Sequence, residues 1–232
     1  MAWFWMGISV WVIALPITLF LMVNRPEDVG LNPDGDESNP GGRGTKSSAS
    51  SESELEVQWT LKEAMRTPAM WSLALVGGFV FFIHTGVNIH QAAFLRDHGI
   101  SASIAASALT VMAGGTAVGS IVWGNLLDHF PVRIIYSTAA AWLGGTALLF
   151  LAVDTALMAF IVAAIFGIGL GGLLVVPPVA LAHYFGRKSL GAIRGVTEPF
   201  VSGGQAIGAI GAGVVFDITG SYSGTFPMFT MA

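Results

Sequence analysis

Residues 155–186 read TALMAFIVAAIFGIGLGGLLVVPPVALAHYFG and contain no Asp, Glu, Lys or Arg. A helix needs roughly 20 apolar residues to cross the hydrocarbon core of a bilayer, so this stretch alone predicts a transmembrane helix. Five further uncharged stretches are read in the same way: residues 3–23, 69–95, 99–127, 134–153 and 199–216. The sequence therefore predicts an all-α integral membrane protein with six full transmembrane helices.

The composition of the chain supports this class. Its 232 residues are 53% hydrophobic and only 10% charged, whereas soluble domains carry about 25% charged residues. The net charge of −4 provides no basic surface for a nucleic acid. No cysteine is present, which removes disulfides and thiolate metal sites. We expect the lipid bilayer to be the first partner and no nucleic acid to be bound.

A long polar segment, residues 24–68, follows the first predicted span. Its Gly, Pro and Ser residues are typical of a linker, and the apolar spacing over residues 55–65 predicts a short amphipathic helix on the membrane surface. Every Lys and Arg except Arg96 lies in this segment or in the loops 128–133 and 187–194. The positive-inside rule therefore places these loops in the cytoplasm of a multi-pass cell-membrane protein.

Small residues recur at helical spacing inside the predicted spans, which lets helix backbones approach closely in a bilayer. They form three sets: Gly115 and Gly119; Gly167 and Gly171; Gly204, Gly208 and Ala212. The stretch 167–172 also fits G-x-G-x-x-G, but it lies in the middle of a span and so indicates helix packing rather than a dinucleotide site. The sequence predicts a tight helical bundle.

Two adjacent prolines, Pro177 and Pro178, lie inside the fifth span. Each removes a backbone N–H donor and crowds the preceding turn, so we expect a kink there. A kink in a membrane must be buried or line a cavity. It is either a static bend or a gating hinge.

Polar side chains inside a membrane are costly and mark candidate functional sites. His84, Asn88 and Gln91 share one helix face and predict a water-filled cavity that opens to the outside. Hydrogen bonding between helices is the alternative, and for Gln91 so is exposure at the interface. Gln205, near the middle of the last span, offers an amide either to a ligand or to a facing helix.

Other polar residues lie near the ends of spans. His90 falls off the polar face and is predicted to be a surface histidine. Glu198 follows Arg194 by four residues, which predicts either a surface salt bridge or, if the carboxyl group is buried, a proton carrier. His183 and Tyr184 are predicted to be interfacial anchors.

No motif for catalysis is present. The sequence lacks H-E-x-x-H, G-x-S-x-G and a pair of acids within one span. We therefore expect no catalytic residue, no metal site and no cofactor, and the protein is not expected to be an enzyme.

Residues 124–133 read GNLLDHFPVR and resemble the cytoplasmic G-x-x-x-D-(R/K)-x-G-(R/K)-(R/K) motif of the major facilitator superfamily, in its C-terminal-half copy. Gly124, Asp128 and Arg133 match the motif. Three other segments are similar to its monocarboxylate and oxalate/formate-antiporter-like branch: residues 24–35 to the opening of the central loop, 59–71 to the entry of the seventh helix, and 217–222 to the turn before the final helix.

The resemblance implies a secondary transporter of twelve helices, of which this chain would carry helices six to eleven and the start of the twelfth. Residues 1–23 would be the sixth helix, 24–68 the connector between halves, and 69–232 the C-terminal bundle. The N-terminal half of the same protein would be the missing partner. Such halves rock about a site near the midplane.

The resemblance also implies residue roles. The substrate would be a small organic solute, with a monocarboxylate as one candidate, carried by symport or antiport on helices that include His84, Asn88 and Gln205. His84 or Glu198 would couple a proton. Gly124, through a tight turn, would form the cytoplasmic gate with Asp128 and Arg133. The alternative function is a six-helix membrane scaffold that does not transport.

Overall fold

The computed structural model describes residues 2–21, 59–186 and 189–220. Three predictions fall on other residues: the linker over 24–58, with its family-like opening at 24–35, the basic pair Arg187 and Lys188, and the start of a further helix at 221–232. These predictions lie outside the described residues. All regular elements within the described ranges are helical.

Residues 2–21 form a helical segment of their own. Helix α1 spans Ala2–Ser9, a π-helical turn spans Val10–Ala14, and α2 spans Leu15–Leu21. Large apolar side chains such as Trp11 and Phe20 are exposed on it. The first predicted span is therefore helical where it is described, but neither α-helix is long enough to cross a membrane by itself. Six full spans are not confirmed.

Within the described ranges, five helices are long and apolar enough to cross a membrane. A short helix, α3 (Leu61–Ala64), precedes them. The five are α4 (Pro68–Asp97), α5 (Ala102–His129), α6 (Val132–Leu149, extended by a 3-10 turn at Phe150–Ala152), α7 (Ala156–Phe185) and α8 (Leu190–Thr219). They confirm five of the six predicted spans.

Short polar side chains fix where three of these helices begin. The hydroxyls of Thr67, Ser101 and Thr155 accept hydrogen bonds from backbone N–H groups in the first turns of α4, α5 and α7. Each supplies a partner to an otherwise unpaired donor. At its other end α7 stops at Gly186, whose φ of +73° lies in the left-handed region that glycine tolerates.

The last predicted span, 199–216, begins too late. Helix α8 starts at Leu190, nine residues or about two and a half turns earlier. Arg194 and Glu198 lie on its surface, where their charges remain in contact with water. These charged residues bound the uncharged stretch in the sequence, but the helix continues through them. Pro199 lies in the helix interior.

Helices α5 and α7 pack backbone against backbone. A Cβ on Gly119 would collide with the backbone of Ile168, and one on Gly167 would collide with the backbone of Met112. One on Gly115 would lie 2.6 Å from the carbonyl oxygen of Ala164. The numbers rise together, so the two helices run parallel. The predicted packing role of these glycines is confirmed.

Helices α4 and α8 form a second parallel pair. A Cβ on Gly204 would collide with the Gly78 carbonyl, and one on Gly208 with the Phe82 carbonyl. Ala212, one turn further on, is fully buried. The predicted small-residue stripe of α8 therefore faces α4.

Two tryptophans, one on α5 and one on α6, donate hydrogen bonds to the backbone of α7. The indole of Trp123 on α5 donates to the carbonyl oxygen of Ile168 at 2.9 Å, and that of Trp142 on α6 donates to the carbonyl oxygen of Ile165 at 3.0 Å. The two rings meet edge to face at 6.2 Å between centroids. Among the described membrane helices α7 has the largest buried share, so it is the centre of the bundle.

The predicted amphipathic helix over 55–65 is shorter than expected. Helix α3 covers only residues 61–64, and residues 55–58 lie outside the described ranges. It packs on the bundle, where Ala64 is fully buried in a cluster with Phe185 of α7 and Ile193 of α8. The backbone N–H of Trp59 donates to the Phe185 carbonyl oxygen at 3.2 Å. The apolar face of α3 is thus satisfied by protein.

A reciprocal cap holds the start of α3. The carboxylate of Glu63 accepts from the backbone N–H of Thr60 at 2.8 Å and from its hydroxyl at 2.7 Å, and the hydroxyl accepts from the Glu63 backbone N–H. The backbone hydrogen bond is the main reason that the pKa of Glu63 lies below its ordinary value of 4.5.

We predict that Gly119→Ala destabilises the α5–α7 contact. The added methyl group meets backbone, which does not move aside as a side chain can, so a cost of about 1–3 kcal/mol is expected. Gly114→Ala is the matched control on the same helix, since a Cβ there meets nothing within 4 Å. Thermal unfolding of the two purified variants in one detergent measures the difference. Equal midpoints would contradict the packing.

We also predict that the cap on α3 is lost in acid. Because the pKa of Glu63 is lowered on folding, its contribution is complete above the ordinary value and disappears as the pH falls through the lowered one. Hydrogen exchange at the Thr60 amide, relative to an unstructured peptide, should therefore accelerate below pH 4.5. Glu63→Gln retains an acceptor without a titrating proton and should show no such step.

Candidate functional site

A cavity of about 110 Å³ lies between α4, α7 and α8. Phe81 contributes from α4, Pro177 and Pro178 from α7, and Arg194 and Glu198 from α8. We call it the α4–α7–α8 cavity. It brings together the proline pair and the glutamate, which the sequence singled out separately and placed on different spans.

The proline pair leaves backbone acceptors beside the cavity. Helix α7 continues through Pro177 and Pro178, but neither residue has an N–H to donate one turn back. The carbonyl oxygens of Leu173 and Leu174 therefore lack their usual partners, and both of these residues line the cavity. Helix α7 is therefore continuous here, but its backbone is more polar than usual because two of its carbonyl oxygens are unpaired within the helix.

The charged rim of the cavity is an ion pair along α8. Arg194 Nε lies 3.8 Å from Glu198 Oε2, with the side chains 59% and 53% exposed. The predicted i, i+4 salt bridge is therefore present. At this exposure it contributes at most about 1 kcal/mol to stability, so either charge is available to a solute at small cost.

His84 lies one aromatic ring away from the cavity. Its ring meets that of Phe81 edge to face, with 6.0 Å between centroids, and Phe81 itself lines the cavity. The Nδ1 atom of His84 is buried and has no hydrogen-bond partner among the described residues. A buried polar atom without a partner is costly in an apolar setting. A water or a ligand that hydrogen-bonds to Nδ1 would remove this cost.

Gln91 is the second unsatisfied polar group on α4. It is fully buried, so the reading of Gln91 as an interfacial residue is wrong. Both its amide oxygen and its amide nitrogen lack partners among the described residues, and it lies between Val87 and Phe94 of the apolar core on the same helix face. Asn88, on the same polar face as His84, is half-buried.

The position of Gln205 follows from the parallel register of α4 and α8. Gly204 lies beside Gly78 and Gly208 beside Phe82, so Gln205 is level with residues 79–80 of α4. At 1.5 Å per residue it lies about 7 Å along the axis from His84, nearer the end where α4 begins. The side chain is half-buried.

The prediction for His90 is wrong. Instead of facing outward, it is partly buried, and its Nε2 lies 3.1 Å from the carbonyl oxygen of Ala209 on α8. The close packing of α4 on α8 brings that carbonyl within reach. His183 and Tyr184, by contrast, are exposed in the last turn of α7, as anchors would be.

A comparison with known protein families identifies the family of this chain. The family model described as Major Facilitator Superfamily matches residues 85–231. The chain belongs to the major facilitator superfamily. The match includes all of α5 to α8 and the part of α4 that carries Asn88 and Gln91. Members of this superfamily are membrane transporters, and this chain is accordingly a multi-pass membrane transporter. No curated protein matches the sequence.

The superfamily motif lies at the ends of two helices. Gly124 is inside α5 rather than in a turn, and a Cβ there would have its nearest neighbour, a Val175 methyl, at 4.0 Å. The tight-turn role expected for Gly124 is wrong, because the helix continues to His129. Asp128 and Arg133 are exposed on either side of the turn, and within the described ranges no ion pair joins them.

Some residues of this transporter's candidate site gave no signal in the sequence. Phe81 and Thr197 line the cavity, but an aromatic residue in an apolar span and a threonine in a helix look ordinary. Only the pairing of α4 with α8 and the approach of α7 bring them together. Among the described residues no group of three His, Cys, Asp or Glu side chains could hold a metal ion.

Proposed function

We propose that this chain is the C-terminal half of a secondary transporter that carries a small organic solute by alternating access, with a monocarboxylate as its candidate substrate. The observation that carries the proposal is the α4–α7–α8 cavity. Within a member of a transporter superfamily, it unites a helix that contains two prolines, a charged rim and a nearby histidine whose Nδ1 has no partner among the described residues.

The helix pairing supports the assignment to one half of a twelve-helix protein. Halves of such transporters contain two three-helix repeats in inverted orientation. If α4, α5 and α6 form one repeat, and α7 and α8 begin the next, exchanging the repeats turns the α4–α8 pair into the α7–α5 pair. Both pairs are parallel and both are glycine-tight, as this exchange requires. The N-terminal half would be the partner that closes the cavity.

The distribution of charge supports a substrate with a single negative charge. Helix α5 has no Lys or Arg, and α8 has none beyond Arg194. A dianion would need more positive charge than these helices provide. The family-like segments at 24–35, 59–71 and 217–222 support the monocarboxylate and oxalate/formate-antiporter-like branch.

Roles for individual residues follow from this proposal. His84, Asn88, Gln91 and Gln205 do not line the α4–α7–α8 cavity itself, and we propose that they contact the solute or its water further along α4 and α8. Pro177 and Pro178 form the hinge of α7, where two backbone hydrogen bonds are already missing. We propose that the motif residues Gly124, Asp128 and Arg133 form the cytoplasmic gate, in which the two charged side chains, not paired with each other among the described residues, would form and break contacts.

We predict that His84→Ala lowers solute uptake by the intact transporter about tenfold or more, since the buried ring nitrogen is then lost to the solute. Uptake of a radiolabelled monocarboxylate such as lactate, normalised to membrane abundance, measures the effect. His98→Ala is the matched control, because His98 caps the far end of α4 and bonds only within that helix through Nδ1. Equal uptake by both variants would remove His84 from the site.

Glu198 is half exposed rather than buried, but it lines the cavity, so we propose that it exchanges a proton with water at the cavity rim. We predict that Glu198→Gln abolishes acceleration of uptake by an inward proton gradient and leaves solute exchange at equal pH intact. The variant keeps the size and hydrogen-bonding capacity of the side chain but carries no titratable proton. Glu63→Gln, a change in the exposed cap of α3, is the control and should respond to the gradient as the parent does. Retained acceleration in Glu198→Gln would assign the proton to another group.

A further inference from the structure

A second cavity, of about 220 Å³, lies where α4 and α6 begin and α7 ends. It is separate from the α4–α7–α8 cavity, with which it shares no lining residue. Its polar lining includes Arg133, Tyr136 and Ser137 of α6 and Tyr184 of α7. We call it the Arg133 pocket. Of its lining residues only Arg133 has a part in the proposed transport mechanism, as a residue of the cytoplasmic gate.

The start of α6 provides unpaired backbone donors to this pocket. Pro131 caps the helix without a side-chain hydrogen bond, and the Pro131 carbonyl oxygen accepts from the N–H groups of Ile134 and Ile135. The N–H groups of Val132 and Arg133 therefore precede the first intrahelical bond, and both residues line the pocket. The positive end of an 18-residue helix favours an anion here.

Arg133 adds a full positive charge. It is exposed, and it forms no ion pair with an acid of the described ranges. No Asp or Glu lines the pocket. A guanidinium presents paired donors that match the oxygens of a phosphate, so the pocket combines a free cation with the helix end behind it.

Tyr136 is an independent sign of a ligand. It lies one turn further along α6, is only 6% exposed, and lines the pocket. Its hydroxyl has no hydrogen-bond partner among the described residues. That oxygen is 3.6 Å from the point where a Cβ on Gly77 would lie, so the hydroxyl reaches across to α4. The ring is thus buried while the hydroxyl remains accessible, and an anion in the pocket would accept its hydrogen bond.

Apolar side chains form the rest of the pocket wall. They include Leu73 and Val76 of α4 and Val132 of α6. Ala180 of α7 continues this apolar wall. Basic pockets between membrane helices at the cytoplasmic face suit the headgroups of anionic lipids, which bring an apolar chain with them.

We propose that the Arg133 pocket binds a phosphate group. Arg133, the free N–H groups at the start of α6 and the Tyr136 hydroxyl would supply the donors. The phosphate belongs either to the headgroup of an anionic lipid or to a soluble anion that enters from the aqueous side. The first methylenes of such a lipid would contact the apolar wall of the pocket.

Two probes distinguish these sources on the purified 232-residue chain. The first is dioleoyl-phosphatidylglycerol in mixed micelles, with dioleoylglycerol as the control that lacks phosphate. The second is inorganic phosphate. Binding is followed by the rise in unfolding temperature and by adducts in native mass spectrometry. Saturable binding of the lipid alone identifies a headgroup site, and saturable binding of inorganic phosphate identifies a site for soluble phosphate.

Three variants test the residues. Arg133→Gln should weaken binding about tenfold and Tyr136→Phe about threefold, as expected for losing a charged and a neutral hydrogen bond. Tyr136→Phe retains the buried ring and so keeps the fold. Arg96→Gln removes a charge at the opposite end of the bundle and should bind as the parent does. Failure of both probes, or equal affinity in Arg133→Gln and Arg96→Gln, would overturn the proposal.

Discussion

The direct contact of helix backbones at glycine is the constraint on which the rest of this structure depends. In a bilayer the lipid tails are as apolar as the side chains, so helices gain little by hiding apolar surface from one another. Association then relies on close approach, and the approach of α7 to α5 is closest where Gly119 and Gly167 leave no Cβ. The indoles of Trp123 and Trp142 add hydrogen bonds to α7 carbonyls. Since α7 is held along this face, the part of α7 that contains Pro177 and Pro178 is held in place where it lines the cavity.

Features that depend on one segment of the chain could be predicted from the sequence, whereas features that depend on a neighbouring helix could not. Five spans could be predicted because the absence of charge over a bilayer's thickness is a property of one segment, and the glycine contacts because their spacing is too. The start of α8 is not predictable from the uncharged stretch alone, because a helix tolerates Arg194 and Glu198 on a face that stays in water. Gly124 was assigned to a turn by analogy with a motif, whereas the backbone stays helical for another turn and more. His90 was placed on the surface because the Ala209 carbonyl that it contacts belongs to a helix far away in sequence.

The candidate site shows the same division. The polar face of α4 follows from the period of the helix alone, and the structure adds that Gln91 and His84 carry atoms without partners. That Pro177, Pro178 and Glu198 share one cavity follows only from the packing of α7 beside α8. Tyr136 gave no signal in the sequence, since a tyrosine near a helix start is commonly an interfacial anchor. Its importance emerges from its burial and from the uncapped helix end one turn away.

The parallel α4–α8 pair sets the order in which this protein is assembled during synthesis. Gly78 leaves the ribosome long before Gly204, and every intervening helix is made in between. Contacts between α5 and α7 close a shorter loop and become available first. Until α8 is inserted, the Gly78 face of α4 has only lipid or another protein beside it. An insertion chaperone that shields such faces would therefore be needed for α4 longer than for α5. Of the four helices in the two parallel pairs, α4 is synthesised first, and its partner α8 is synthesised last.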